Sequence, residues 1–366
     1  MMEIWDLDTP SLVVDLDILE NNINRMASYC KIHNLALRPH IKTHKVPEIA
    51  KMQIEAGAAG ITCAKVTEAA VMAEAGIDDI LIAYPIIGEE KVKNLMLLAE
   101  KAKISVALDS VTCAEAISKE AHNKGKTIGI LTEVDVGMNR SGWQIGDELV
   151  EDAKRISGMK GLDFKGIMMF WGFIKTNIYA EKKKELEKIQ EYIQKAYDLF
   201  DKAGIPIEIM SGVSTPTAFL SHTLKGLTEI RPGTYVYNDL TIAGCGSAGL
   251  EDCALKVLTS AVSTTIPGQI MIDAGFKTMS CALLTSGDKA GYGRVFGDDQ
   301  LYVNRMNEEL GVIDISKSDS KFSVGDKLLI IPNHCCTTNN MHNEVYGIRN
   351  NKVELVWNIA ARGKVR

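Results

Sequence analysis

Residues 35–57 read LALRPHIKTHKVPEIAKMQIEAG, and this stretch decides the fold. Leu35–Lys42 is a short, largely apolar run that ends on polar residues. It reads as a strand, and Val46–Gly57 reads as a helix returning beside it. The same rhythm runs outward in the C-terminal direction. Strands are expected at Gly60–Cys63, Ile80–Tyr84, Ile104–Asp109, Ile128–Asp135, Phe164–Phe170, Pro206–Gly212 and Leu227–Arg231. Helical patterns such as Val66–Gly76 and the segment from Glu89 onward lie between them. With Leu35–Lys42 these make eight strand-and-crossover units, the count of a (β/α)8 TIM-like barrel. The last unit is weak, because Ala218–Lys225 makes a short helix at best.

The rhythm changes after Asp239. Leu255–Pro267, Gln269–Asp273, Lys327–Ile331 and Lys352–Asn358 are rich in β-branched residues and are separated by Gly, Asn and Asp turns. No convincing helix lies between them, so a mainly antiparallel β-domain is expected. The expected boundaries are 11–238 for the barrel and 239–366 for the β-domain, with residues 1–10 joining the latter.

Bulk properties narrow the function. The 366 residues suit two domains, and the formal net charge of -6 disfavours a nucleic-acid or anionic-membrane partner. No apolar run approaches the roughly 18 residues of a membrane span. Met1–Pro10 lacks the basic start and apolar core of a signal peptide. The eight cysteines are scattered, which points to a reducing cytoplasm rather than a disulfide framework. Cys30, Cys113, Cys253 and Cys281 read as small buried apolar residues.

In a barrel the catalytic rim lies at the C-terminal ends of the strands. His40 and Lys42 stand at one such end. Burial and nearby cations favour a neutral, nucleophilic amine in general, and Arg38, His40, His44 and Lys45 supply such neighbours, which suits a Schiff-base lysine; a surface basic loop binding a phosphate is the other reading. Ser211–Thr217 (SGVSTPT) is rich in Gly and hydroxyls, as a phosphate cradle requires. Arg231–Tyr237 (RPGTYVY) follows the last barrel strand, where phosphate sites in barrels often form. In Asp135–Gly142 (DVGMNRSG), Arg140 is placed to reach a ligand oxygen or to close a salt bridge within the loop. In Ile331–Asn340 (IPNHCCTTNN), His334 and Cys336 are two apart, so an extended chain puts both on one face with Cys335 opposite. Imidazole and thiolate suit zinc, and two protein ligands leave positions open for water and substrate. His342 competes as a ligand. Asp273 and Lys277 read as a buried structural pair, with a position facing the site as the other reading.

These pieces occur in a specific order: DTPSLVVDLD (Asp8–Asp17), RPHIKTHK (Arg38–Lys45), CAKVTEA (Cys63–Ala69), EVDVGMNRSG (Glu133–Gly142), RPGTYVYND (Arg231–Asp239), MIDAGFKTMS (Met271–Ser280) and PNHCCTT (Pro332–Thr338). Together they resemble the D-threonine aldolase and D-serine dehydratase family, fold-type III pyridoxal-phosphate (PLP) enzymes related to alanine racemase by their barrel. The resemblance covers nearly the whole chain. It implies that Lys42 carries PLP, with Lys45 the alternative, that Thr215, Gly233 and Tyr235 hold its phosphate, and that Arg140 contacts the cofactor. Ser211 and Gly212 of the cradle and His40 at the strand end are expected cofactor contacts beside them. It makes His334 and Cys336 the ligands of a divalent metal (Zn, or Mn/Mg), and implies a homodimer acting on a small D-amino acid. The family often has a tyrosine and a histidine-containing stretch after the sixth strand. Here the chain reads MMFWGFIK (Met168–Lys175), which leaves His44 or a metal-bound hydroxide as the base. Retro-aldol cleavage of a D-3-hydroxy amino acid is the expected reaction, with dehydration to a keto acid and ammonia as the alternative. A non-catalytic PLP-binding protein and an alanine racemase-like activity stand behind both.

Overall fold

A computed structural model describes residues 2–286 and 289–366. The chain divides into two compact units: one holds Arg25–Lys42, Pro47–Gly233 and Gly363–Arg366, and the other the residues before Arg25, Thr43–Val46 and Thr234–Arg362.

The first unit is the barrel. Its strands are Ala36–Leu37, Ile61–Cys63, Asp79–Ile82, Lys103–Leu108, Ile128–Val134, Leu162–Met169, Ile209–Gly212 and Glu229–Ile230. Every expected strand is present, and all pair in parallel in an eight-stranded sheet. The two ends of that sheet meet. Thr62 bridges His40, the Thr62 amide donates to Pro39 O at 2.8 Å, and the Ala59 amide donates to Leu37 O at 2.8 Å, which closes the ring. Ile128–Val134 is buried at all seven positions, as a strand covered on both faces must be. Each such aliphatic side chain taken from water contributes about 1.5–3 kcal/mol.

Two local details differ from the sequence reading. The strand that begins near Leu35 ends at Leu37, and Lys42 sits in a single 3-10 turn, Ile41–Thr43, beyond the bridge at His40. The last unit has no α-helix between Gly212 and Glu229; Thr215–Thr223 is a 3-10 segment with Pro216 at its start.

The second unit is a nine-stranded sheet whose main path runs Val303–Met306, Gly311–Asp314, Gln269–Ile272, Leu255–Ser263, Ser11–Asp15, Glu344–Arg349 and Lys352–Asn358. Lys327–Pro332 pairs with both Leu255–Ser263 and Gly293–Val295. All these pairings are antiparallel except that of Ser11–Asp15 with Glu344–Arg349. The barrel boundary drawn at residue 11 therefore shifts. Ser11–Asp15 is a strand of this sheet, held between two neighbours because Leu12, Val13 and Val14 are all apolar and buried. Glu3 bridges Lys352, and Ile4, Leu7, Val13, Leu258 and Ile348 form one core cluster. Two single-turn helices, Phe276–Met279 and Cys335–Asn339, interrupt the strands where none was expected.

Cys30, Cys113 and Cys253 are buried, and burial pushes their thiols up to about 12, 11 and 12 respectively. Cys281 is exposed instead, because it lies on the loop that leaves the Phe276–Met279 turn. Asp273 and Lys277 do not pair. Asp273 accepts from Thr9 Oγ1 (2.6 Å), Thr259 Oγ1 (2.5 Å) and the Ser260 amide (2.9 Å), while Lys277 reaches Glu309 at the surface.

Candidate active site

The strand ends of the barrel unit open into a cavity of about 540 Å³, within the usual size range for a small-molecule site. Lys42, His40, Arg140, Phe170, Val213 and Arg231 are among its walls. Lys42 arrives there because the turn Ile41–Thr43 carries the chain past the sheet instead of extending it.

Arg140 is aimed by its own loop. The Asp135 carboxylate accepts the amides of Gly137 (3.2 Å) and Asn139 (3.0 Å), and Asp109 accepts the amide of Gly142 (3.1 Å). Gly142 has φ +107°, and a Cβ there would lie 2.6 Å from Asp135 N, so only glycine permits this turn. The Arg140 guanidinium then lies 3.5 Å from Glu133 Oε1 and 5.2 Å from the centre of the Phe170 ring. Phe170, which cannot hydrogen-bond to a cofactor, thus supplies an aromatic face for the arginine. Glu133 is buried, and loss of water holds its carboxyl above the ordinary range against the pull of Ser141 and Arg140.

Arg231 is fixed more firmly. Its guanidinium donates to Ser211 Oγ and to Met169 O (2.9 Å). Ser211 Oγ donates in turn to Glu229 Oε1 (2.5 Å), and Glu229 pairs with Arg38 at 2.7 Å. Burial lowers the Arg231 pKa to about 10 in spite of Glu229 and Glu133. This buried chain of charges is the feature that sequence reading missed, since Arg38 and Glu229 are 191 residues apart.

The Ser211–Thr217 segment has the marks of an anion cradle. Val213, a β-branched residue, adopts φ +79°, a strained conformation of the kind that clusters at ligand clamps. Ser214 Oγ is buried without a hydrogen-bond partner among the described residues. A phosphate accepting from it would supply that partner. Gly233 and Tyr235 follow later in the chain, at the start of the short 3-10 turn Thr234–Val236.

The metal-ligand candidates lie in the second unit. Its strand stops at Pro332, and His334 caps the start of the helix Cys335–Asn339. The extended spacing expected for this segment is therefore replaced by a helical one. Asp239, fully buried, causes the change: its Oδ2 accepts both from His334 Nδ1 (3.2 Å) and from the Cys335 amide (3.0 Å). Hydrogen bonding from Cys335 and His334 holds the Cys336 thiol well below its ordinary pKa. His334, between Asp239 and Cys336, is pushed up to about 10. With Nδ1 committed to Asp239, a cation would take Nε2 in place of the hydrogen bond to Cys336, and a partner of this kind on Nδ1 orients metal-binding histidines generally. Among the described residues no group of three or more His, Cys, Asp or Glu converges on one point, so the pair stands without a third protein ligand there. His342 is committed elsewhere, with Nε2 donating to Thr278 O at 3.0 Å.

Lys45 and His44 also have defined places in this second unit. Lys45 Nζ donates to Asn340 Oδ1 at 2.8 Å. His44 is fully buried and stands edge-on to Tyr237. Its Nδ1 lies 3.1 Å from both the amide and the carbonyl oxygen of Val46, so this one residue can partner either tautomer of the ring. Thr43, directly after Lys42 in the chain, places its Oγ1 3.3 Å from Cys336 Sγ.

A closed parallel barrel with a lysine and two arginines at its strand ends, a loop rich in Gly and hydroxyls, and a separate antiparallel sheet are the architecture of fold-type III PLP enzymes. Residues 14–240 match the family of the alanine racemase N-terminal domain, and residues 254–348 match a serine dehydratase domain. Along the full length the chain is 33% identical to a 3-hydroxy-D-aspartate aldolase of Paracoccus denitrificans, covering 99% of this chain and 94% of that protein. The solved D-threonine aldolase of Filomicrobium marinum superposes with a TM-score of 0.91 at 31% identity, over 99% of this chain and 98% of that one. The D-threo-3-hydroxyaspartate dehydratase of Delftia sp. HT23 gives 0.90 at 28%, over 98% and 99%. The chain belongs to the D-threonine aldolase and D-serine dehydratase family of fold-type III PLP enzymes.

Proposed function

We propose that this protein is a PLP- and divalent-metal-dependent lyase that cleaves D-3-hydroxy amino acids by retro-aldol reaction, giving glycine and an aldehyde. The observation that carries this is Lys42 in the wall of the strand-end cavity, followed in the chain by Thr43, which touches the thiol of the His334 and Cys336 pair.

The cavity fits PLP. Its volume suffices and Lys42 supplies the amine; the buried Ser214 hydroxyl without a partner, next in the chain to Val213 of the cavity wall, would suit a phosphate oxygen. When bound, PLP supplies an electron sink for the charge left at Cα. Lys42 would hold the cofactor through its Nζ, and is the amine that would take up or return a proton at Cα. Arg140, braced by Glu133 and Phe170, and His40 line the cavity and would contact the cofactor. Ser211, Gly212, Thr215, Gly233 and Tyr235 are the residues that would hold its phosphate.

The His334 and Cys336 pair fits a borderline-soft cation such as zinc, because it presents one imidazole nitrogen and one thiol already biased toward thiolate. The cation, whether Zn, Mn or Mg, supplies a Lewis acid for a β-oxygen. Asp239 orients His334 for that task. His44 is the candidate base in this reading. The protein works in the cytoplasm as a homodimer.

Dehydration is the second reading, favoured by Cys336 itself: the thiol is nearer the dehydratase pattern, and the Delftia dehydratase, a mutant of which is solved in a metal-free form, is as close in fold. Incubation with D-threonine and D-serine separates the two. Glycine with acetaldehyde supports the aldolase; ammonia with a keto acid and no aldehyde reverses the order.

A further inference from the structure

The cradle Ser211–Thr217 is supported from beneath by two side chains that no motif marks. Trp171 is fully buried and spans the loop. Its indole Nε1 donates to Thr217 Oγ1 at 3.1 Å, and the far edge of its ring lies so close to Gly212 that a Cβ there would be 2.4 Å from it. Lys182, in the first turn of the helix Tyr179–Ala203, is 6% exposed, and its Nζ donates to Pro216 O at 3.0 Å. A buried ammonium is costly to desolvate, so its retention requires something in return. Its position behind the loop supplies two things: a fixed place for Pro216, and positive charge beside the segment that bears the strained Val213 and the unpartnered Ser214 hydroxyl.

We propose that Lys182 and Trp171 are positioning residues for the cofactor's 5′-phosphate. They hold the cradle in its strained, anion-ready form, and Lys182 adds charge complementarity. This inference rests on the PLP reading given above. Neither residue is placed to touch the reacting atoms, so its effect falls on phosphate recognition rather than on the chemistry at Cα.

The test compares two probes, PLP and pyridoxal, which share the aldehyde and ring and differ only in the phosphate. Apo wild type, Lys182→Met, Lys182→Arg and Trp171→Phe are titrated with each, and visible absorbance gives Kd; thermal midpoints of the apo forms check the fold. Lys182→Met is expected to weaken PLP about tenfold or more, the scale of one lost charge-assisted hydrogen bond, and to leave pyridoxal unchanged. Lys182→Arg should recover most of the loss. Trp171→Phe keeps an aromatic ring and removes the N–H, and carries the test if Lys182→Met fails to fold; it should weaken PLP but not pyridoxal. Equal weakening of both probes, or unchanged PLP affinity in folded variants, overturns the inference while leaving the PLP reading intact. A wild-type chain that takes up neither probe overturns both.

Discussion

At the residue scale, two lysines three positions apart have different fates. Lys42 reaches the cavity, and Lys45 is spent on Asn340. Lys42→Ala should therefore abolish the visible absorbance of the PLP-loaded protein, while Lys45→Ala keeps it; a band retained in Lys42→Ala moves the assignment to Lys45. Asp239 is the second residue to probe. Because it holds His334 Nδ1, Asp239→Asn should weaken metal binding about 10- to 100-fold, as loss of such a partner does elsewhere, with the cofactor band unchanged. Metal titration of the apo protein reads this directly, and an unaltered affinity would leave Asp239 as a helix cap alone. Glu133 gives a pH prediction. Its folded pKa is raised above the ordinary 4.5, so the stability linked to its protonated form is present below that value and is lost as pH rises through the raised one. Apo Glu133→Gln should show a flatter stability profile than wild type across that interval, measured by thermal midpoint. A parallel profile would mean that Arg140 compensates fully.

At the element scale, the segments with a strong apolar rhythm were legible and the polar turns between them were not. Eight short apolar runs gave eight strands, because a buried parallel strand needs both faces apolar. The segment around His334 and Cys336 reads as extended, and its ligand spacing alone could not reveal a helical turn. The turn exists because Asp239, 95 residues earlier than His334, accepts from both His334 and the Cys335 amide. Residues Ser11–Asp15 show the same limit: an apolar run announces a strand but not which sheet receives it. Gly212 belongs to this scale as well. Gly212→Ala would force Cβ into the Trp171 ring, and overpacking of this kind costs about 1–3 kcal/mol. The thermal midpoint of the apo form should fall, and unchanged stability would mean that Trp171 can swing aside.

At the scale of the whole molecule, the two groups that carry the proposed chemistry belong to different compact units. Chelation should therefore remove activity and leave the PLP absorbance in place, with activity restored by adding zinc or manganese; activity that survives exhaustive chelation would discard the metal assignment. The sequence by itself determined the eight-strand barrel, the antiparallel sheet after it and the identity of the residues singled out, because apolar periodicity and residue chemistry are local properties. Only the tertiary structure decided which lysine meets the cavity, that Asp239 orients His334, that Arg38, Glu229, Ser211 and Arg231 form one buried chain, and that Trp171 and Lys182 support the cradle. These are contacts between residues 34 to 191 positions apart in all but the nearest cases, and their partners are set by which strands lie side by side once the barrel closes.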